Sequence, residues 1–295
     1  MTQPFLARTR ADLAQALSAP AGGEVAAVLT MGALHDGHIA LMRAARRRVG
    51  ANGRVVVTIF VNPLQFAPQE DLSRYPKSFD SDMDTCRRED VDVVFAPSVD
   101  EIYPDGEIVV SVDPGALGEI LEGAARPGHF TGVLTVVLKL LNLTCADVTL
   151  FGEKDFQQLV LVRQMVRDLD LPVEVVGVPI ARADDGVALS SRNAYLSDGE
   201  RSAAKAIPTA LALAADMAST SVGAEAIRAA AFEYLTAESG LSVEYVEITD
   251  PELRPFVGPG PARLVVAVRA GHTRLLDNAR IDITSAGSWP SGGDR

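Results

Sequence analysis

Cysteine is almost absent: Cys86 and Cys145 are the only two in 295 residues. Thiols that far apart in sequence give neither a disulfide framework nor a Cys-rich zinc site. Positive charge is also short, with 27 Lys and Arg against 39 Asp and Glu and a net charge of −12. Non-specific nucleic-acid binding relies on basic side chains that neutralise phosphates, so no nucleic-acid partner is expected, although a local basic pocket is still allowed. No run approaches the roughly 18 apolar residues of a membrane span. The opening MTQPFLARTRADLAQAL holds no apolar core of signal-peptide length. The expectation is a cytoplasmic protein without a membrane partner. Histidine is scarce too: there are four, and two of them, His35 and His38, share the stretch TMGALHDGHIAL. Apolar residues, by contrast, make up 47% of the chain, ample for a real core. The length suits one large or two modest domains.

Val-rich runs at Val25–Thr30, 54–61, 91–96, 148–151 and 173–179 are continuous rather than alternating. That is the pattern of strands buried on both faces. Helix-like stretches at 37–49, 79–89, 132–142 and 155–168 separate them. Such alternation predicts an α/β fold, a Rossmann-like doubly wound parallel sheet with helices on both faces. Beyond residue 182 the pattern changes. Residues 189–196 read as a loop, and Ser197 with Glu200 has capping-box spacing. Ala-rich helices follow at 201–218 and 224–238, then strands at 243–249, 264–269 and 280–283. We expect a first domain over 1–181, a smaller α+β domain over 182–285 and a disordered tail over 286–295.

Five segments carry candidate chemistry. TMGALHDGH follows a strand and opens a helix. Its glycines allow close backbone approach, and the helix start offers free N–H groups and the positive end of a dipole. A phosphate site, an ordinary turn and a metal pair all remain open on these residues alone. The metal reading would need another ligand, such as Asp36 or His129. FVNPLQF carries Asn62 and Gln65, amides that both donate and accept. EGAARPGHFTGV carries Arg126, suited to carboxylate or phosphate. FGEKDFQQL sets Lys154 at a helix mouth with Asp155 as N-cap, and puts Gln157 and Gln158 on different helix faces. ALSSRNAYLS is a donor-rich loop able to close over a polyphosphate.

HDGH resembles the His-x-Gly-His signature of a nucleotidyltransferase superfamily that attacks the α-phosphate of nucleoside triphosphates. SSRN stands where that superfamily carries a second loop with Ser and Lys or Arg. All five motifs, in this order and at these distances, resemble the pantoate–β-alanine ligase family. The likeness runs from about residue 25 to 196, with a compatible C-terminal domain to about 283.

The resemblance implies a reaction in which (R)-pantoate and ATP give pantoyl adenylate and pyrophosphate. β-Alanine then displaces AMP to form pantothenate. It implies an ATP site of Met31, Gly32, Ala33, Leu34, His35, Asp36, Gly37 and His38, with both imidazoles on phosphates and His38 as proton donor. Gly152, Glu153 and Asp155 would meet the nucleoside, and the Ala181 backbone the adenine. Lys154, Leu189, Ser190, Ser191 and Arg192 would surround the phosphates, with His35, His38, Lys154 and Arg192 as the catalytic set. Gln65 and Gln158 would bind pantoate, and Gln65 would also orient β-alanine. Asn62, Tyr75 and Arg126 complete the substrate candidates. In some relatives an acidic pair approaches magnesium, but here Ser81 separates Asp80 from Asp82. Mg²⁺ is therefore expected on the ATP phosphates and water rather than on side chains. The family implies a homodimer. Another nucleotidyltransferase would not need the long C-terminal domain or the two glutamines. A tRNA synthetase would need a basic extension. A non-catalytic ATP-sensing module gives Gln65, Gln158 and Arg192 no task.

Overall fold

Branched Cβ atoms favour extended backbone and pack well on a pleated surface, and the strands of this protein are built from them. The structure, a computed structural model, describes residues 3–18, 22–66, 78–106, 108–220 and 222–284. It divides into two units, Met1–Ala181 and Arg182–Arg295.

The first unit runs β1 (Phe5–Ala7), α1 (Arg10–Ser18), β2 (Val25–Thr30), α2 (Asp36–Val49), β3 (Arg54–Ile59), α3 (Phe79–Arg88), β4 (Val93–Phe95) and α4 (Val99–Ile102). It continues through α5 (Glu122–Ala125), α6 (His129–Thr144), β5 (Val148–Gly152), α7 (Phe156–Asp168) and β6 (Glu174–Val178). The six strands form one parallel sheet in the order β1-β4-β3-β2-β5-β6. From β2 the chain winds outward through β3 and β4, then returns to β5 and β6 on the other side. The reversal falls between β2 and β5, and ligands of such sheets bind at the carboxyl ends of the strands there.

Helix α2 lays Leu41, Met42 and Ala45 on Val28, Val57 and Leu150. Burying a side chain as large as Met42 contributes about 1.5–3 kcal/mol, so the start of α2 is anchored from behind. The expected strands are present. The structure adds β1 and α1, which the sequence reading left out: a strand of three residues has too little periodicity to register and is fixed by pairing Phe5 with Val93.

The second unit holds α8 (Asp198–Ala204), α9 (Ala206–Ala218), α10 (Ala224–Ala237), β7 (Leu241–Thr249), β8 (Gly260–Ala270) and β9 (Thr273–Ile283). Its strands form an antiparallel sheet in the order β7-β8-β9. Ile207, Leu211, Ile227, Leu235, Leu264 and Ile283 belong to its core. The Ser197–Glu200 capping box forms as expected. The helix expected over 201–218 is instead divided at Lys205. β9 is longer than the expected 280–283 because Asp277 and Asn278, residues of poor strand propensity, are buried within it. The Asp277 carboxylate accepts from Arg182 Nη1 at 2.7 Å and Nη2 at 3.0 Å, which satisfies it there. No helix among the described residues is long and apolar enough to cross a membrane. The expected tail 286–295, like Tyr75, lies outside the described residues.

Candidate active site

The chain leaves β2 in a tight turn. Thr30 Oγ1 donates to the Thr58 carbonyl at 2.6 Å and accepts from Gly32 N at 3.2 Å. Gly32 then takes φ +83° and Ala33 φ +52°. Such a kink needs outside support at Ala33, where a side chain disfavours positive φ. Asp82, on α3 and 2% exposed, supplies it. Its carboxylate accepts from Ala33 N at 3.0 Å, Leu34 N at 2.8 Å and Ser78 Oγ at 3.1 Å. A Cβ on Gly32 would stand 3.0 Å from Asp82 Oδ2, so the acid reaches the loop only across a glycine. Sequence reasoning weighed Asp82 only as a metal neighbour. Its partners lie almost fifty positions away, and no local pattern marks them.

His35 and His38 form a capping box at the start of α2. His35 Nδ1 accepts from Gly37 N at 3.1 Å, and His38 Nδ1 accepts from His35 N at 3.2 Å. A Cβ on Gly37 would lie 2.8 Å from His35 Cε1, so glycine is what lets the ring fold over the helix end. Backbone N–H groups only donate, so each Nδ1 is the acceptor and each neutral ring carries its proton on Nε2. Burial, then the positive charge of Lys154, lowers the pKa of His35. Burial, His35 and Lys154 push His38 down to about 3, against the opposing pull of Asp155. Both rings are therefore uncharged donors at neutral pH. The turn is formed on the Nδ1 atoms, which leaves Nε2–H of each ring as a donor for a ligand.

Across the switch point β5 ends in Gly152, and residues Glu153–Asp155 make a single turn before α7. Asp155 occupies the N-cap position but makes no side-chain cap bond; its Oδ1 lies 3.2 Å from Lys154 Nζ. That Lys154 and Asp155 both act on the two imidazoles places the loops after β2 and β5 side by side. Gln157 and Gln158 do diverge. Gln157 is buried, donating to the carbonyls of Leu117 at 2.8 Å and Ile120 at 2.9 Å and accepting from Glu122 N at 2.9 Å. Gln158 is half-buried.

Gln65 sits in the turn after β3 and is pinned from several sides. Its Nε2 donates to Met31 Sδ at 2.8 Å. Its carbonyl accepts from His129 Nδ1 at 2.8 Å and Arg126 Nη2 at 3.3 Å, while Arg126 Nη1 donates to His129 Nε2 at 2.9 Å. A Cβ on Gly132 would stand 2.2 Å from the Leu64 carbonyl, so α6 approaches this turn at backbone contact. The RPGHFTGV motif thus braces Gln65. Asn62 and Arg126, expected among the substrate contacts, both hydrogen-bond to Gln65, and Asn62 is 1% exposed. His129, the distant candidate metal ligand, is committed to the same brace. No group of three or more His, Cys, Asp or Glu among the described residues is arranged to hold a metal ion.

Ala181 closes the first unit; Leu189, Ser190, Ser191 and Arg192 belong to the second. There Ser190 Oγ accepts from Arg192 N at 3.3 Å, and Asn193 Nδ2 ties the turn to the Ala188 carbonyl at 3.0 Å. The Arg192 side chain is exposed.

A parallel sheet whose switch point gathers two imidazole donors and an ammonium defines an α/β enzyme of the phosphate-handling class. Comparison with known proteins narrows the class. The family model described as pantoate–β-alanine ligase matches residues 6–280. A pantothenate synthetase of Salinispora arenicola is 54% identical over 94% of this chain and 98% of its own. One from Mycolicibacterium smegmatis is 53% identical over 90% of this chain and 84% of its own. The crystal structure of the Thermus thermophilus enzyme superposes with TM-score 0.86 at 45% identity, over 93% of this chain and 98% of that one. A Francisella tularensis pantoate–β-alanine ligase, solved with β,γ-ATP and β-alanine, gives TM-score 0.77 at 33% identity, over 94% of this chain and 97% of that one. The chain belongs to the pantoate–β-alanine ligase family. It is an amide-forming ligase whose product is pantothenate.

Proposed function

We propose that the ligation proceeds through pantoyl adenylate formed at the loops after β2 and β5. The pantoate carboxylate attacks the α-phosphorus of ATP, the bond to the bridging oxygen breaks, and pyrophosphate leaves. The β-alanine amine then attacks the acyl carbon and AMP departs. Phosphoryl chemistry of this kind asks the protein for position and for donors aimed at developing charge. The observation that carries the reading is the pair of Nε2–H groups on His35 and His38, oriented by the helix cap and set beside Lys154. Burial and the neighbouring His35 and Lys154 hold His38 low, to about 3, in the ligand-free protein, so it meets the incoming nucleotide as a neutral hydrogen-bond donor. Removing one such donor costs on the order of 10²–10³ in rate. Met31 and Gly32 to Leu34 line the same turn, Gly152, Glu153 and Asp155 take the nucleoside, and the Ala181 backbone takes the adenine. Gln65 and Gln158 receive pantoate. Ser190, Ser191 and Arg192 are assigned to the same reaction on the strength of their motif.

Both Asp82 carboxylate oxygens accept backbone N–H groups of the Ala33–Leu34 turn, which gives this acid a structural task, and Mg²⁺ is assigned to the ATP phosphates and water. We assign the enzyme to the cytoplasm and to a homodimer. The adjacent Val109 and Val110, 96% and 82% exposed, favour a protein partner for that stretch. The test of the mechanism is pyrophosphate–ATP isotope exchange with (R)-pantoate present and β-alanine absent. Exchange that depends on pantoate is expected; its absence would rule out the adenylate.

A further inference from the structure

We propose that Tyr103 is a positioning residue that, together with the Leu64 N–H and the Gly132 carbonyl, locks Asn62 in the sense that sets the polarity of the Gln65 amide, so that an N–H and not an oxygen faces the pantoate carboxylate. The inference rests on the assignment of Gln65 to pantoate made above.

The chain of reasoning starts from backbone groups, whose hydrogen-bonding sense is not in question. Asn62 Oδ1 receives Leu64 N at 3.3 Å, and Asn62 Nδ2 faces the Gly132 carbonyl at 3.1 Å. An N–H must donate and a carbonyl must accept, so these two neighbours fix which end of the Asn62 amide is which. The Tyr103 hydroxyl lies 2.8 Å from Asn62 Oδ1 and therefore donates to it. The second proton on Asn62 Nδ2 is then directed at Gln65 Oε1, 3.2 Å away. With its oxygen taken from behind, Gln65 has only its NH₂ end to present forward, where it now meets Met31 Sδ.

Among the described residues Tyr103 supplies the side-chain donor to Asn62 Oδ1, beside the two backbone groups. Tyr103 is 4% exposed and packs edge-on to Phe60 with ring centroids 6.1 Å apart, so its hydroxyl has one direction in which to point. Burial raises its pKa, which keeps it a neutral donor at any working pH. A glutamine free to flip would offer its oxygen to an anionic substrate half the time; this one is held in the attractive sense. Tyr103 touches no substrate in this scheme and acts two side chains away.

The test measures pantoate and ATP KM for Gln65→Ala, Tyr103→Phe and the double variant, with thermal melts of each. Tyr103→Phe removes one neutral hydrogen bond and is expected to raise pantoate KM by about 3- to 10-fold, with ATP KM unchanged. In the Gln65→Ala background the same substitution is expected to add nothing, because the amide it orients is gone. If Tyr103→Phe leaves pantoate KM alone while Gln65→Ala raises it, or if the two effects multiply in full, the relay is wrong. If Gln65→Ala itself leaves pantoate KM unchanged, the pantoate assignment falls instead. Gln65→Glu gives an independent reading outside the core. Asn62 would claim one carboxylate oxygen and leave the other facing the substrate, so pantoate KM should rise well beyond the Gln65→Ala value. A Gln65→Glu variant that binds pantoate no worse than Gln65→Ala would also overturn the proposed polarity.

Discussion

In the proposed mechanism His38 uses its two ring nitrogens for two purposes, and substitutions can separate them. His38→Ala loses both the back-bond to His35 N and the Nε2 donor. His38→Gln keeps the back-bond, since glutamine is a natural third residue of a capping box, but has no ring nitrogen where Nε2 stands. Both variants are expected to lose at least about 10²-fold in pyrophosphate exchange. Only His38→Ala should also lose stability, by about 1 kcal/mol in urea melts. Near-normal exchange in His38→Gln would refute the donor role. The pH dependence follows from the same ring. His38 is held neutral when folded, down to about 3, whereas in the unfolded chain it titrates near 6.5. Its contribution to stability is complete above about pH 6.5 and is lost as the pH falls from there toward 3. The slope is about 1.4 kcal/mol per pH unit for one group. Acid titration of the ligand-free protein followed by circular dichroism should show a shallower fall for His38→Gln. The histidines were legible in the sequence because glycines and a helix start surround them within nine residues. Asp82 and Tyr103 were not, since each acts on a loop folded toward it from far along the chain.

At the scale of elements, the closest approach in the site is between α6 and the turn after β3. Gly132→Val should drive a side chain into the Leu64 carbonyl. A loss of about 1–3 kcal/mol is expected from such overpacking, together with a raised pantoate KM and little change for ATP. Equal damage to both substrates would show that α6 supports more than the Gln65 turn. The buried strands announced themselves by continuous, Val-rich apolar runs, which is why their positions could be read within a residue or two. β1 could not be, because its existence depends on pairing with β4. Most of β9 was hidden for the opposite reason: Asp277 and Asn278 look like loop residues until Arg182 and Arg263 reach them.

For the whole molecule, the sheet order explains why motifs spread over more than a hundred residues converge. β2 and β5 are neighbours, so the residues after each meet without any long loop. The proposed homodimer is testable through the exposed valines. Val110→Asp should shift sedimentation velocity toward the monomer, whereas an unchanged profile would move the interface elsewhere. One last property lies in the lone pairs of the histidines around the site. Transition metals bind imidazole through an unprotonated nitrogen. On His35 and His38 that nitrogen already accepts a backbone N–H, and on His129 it accepts from Arg126. Cys86 is buried with its thiol pushed up to about 12. Zinc or copper could seize the His-x-x-His pair only by shifting a tautomer and uncapping α2. A helix start with two histidines three residues apart is, by this construction, poorly matched to the ions that such spacing ordinarily attracts.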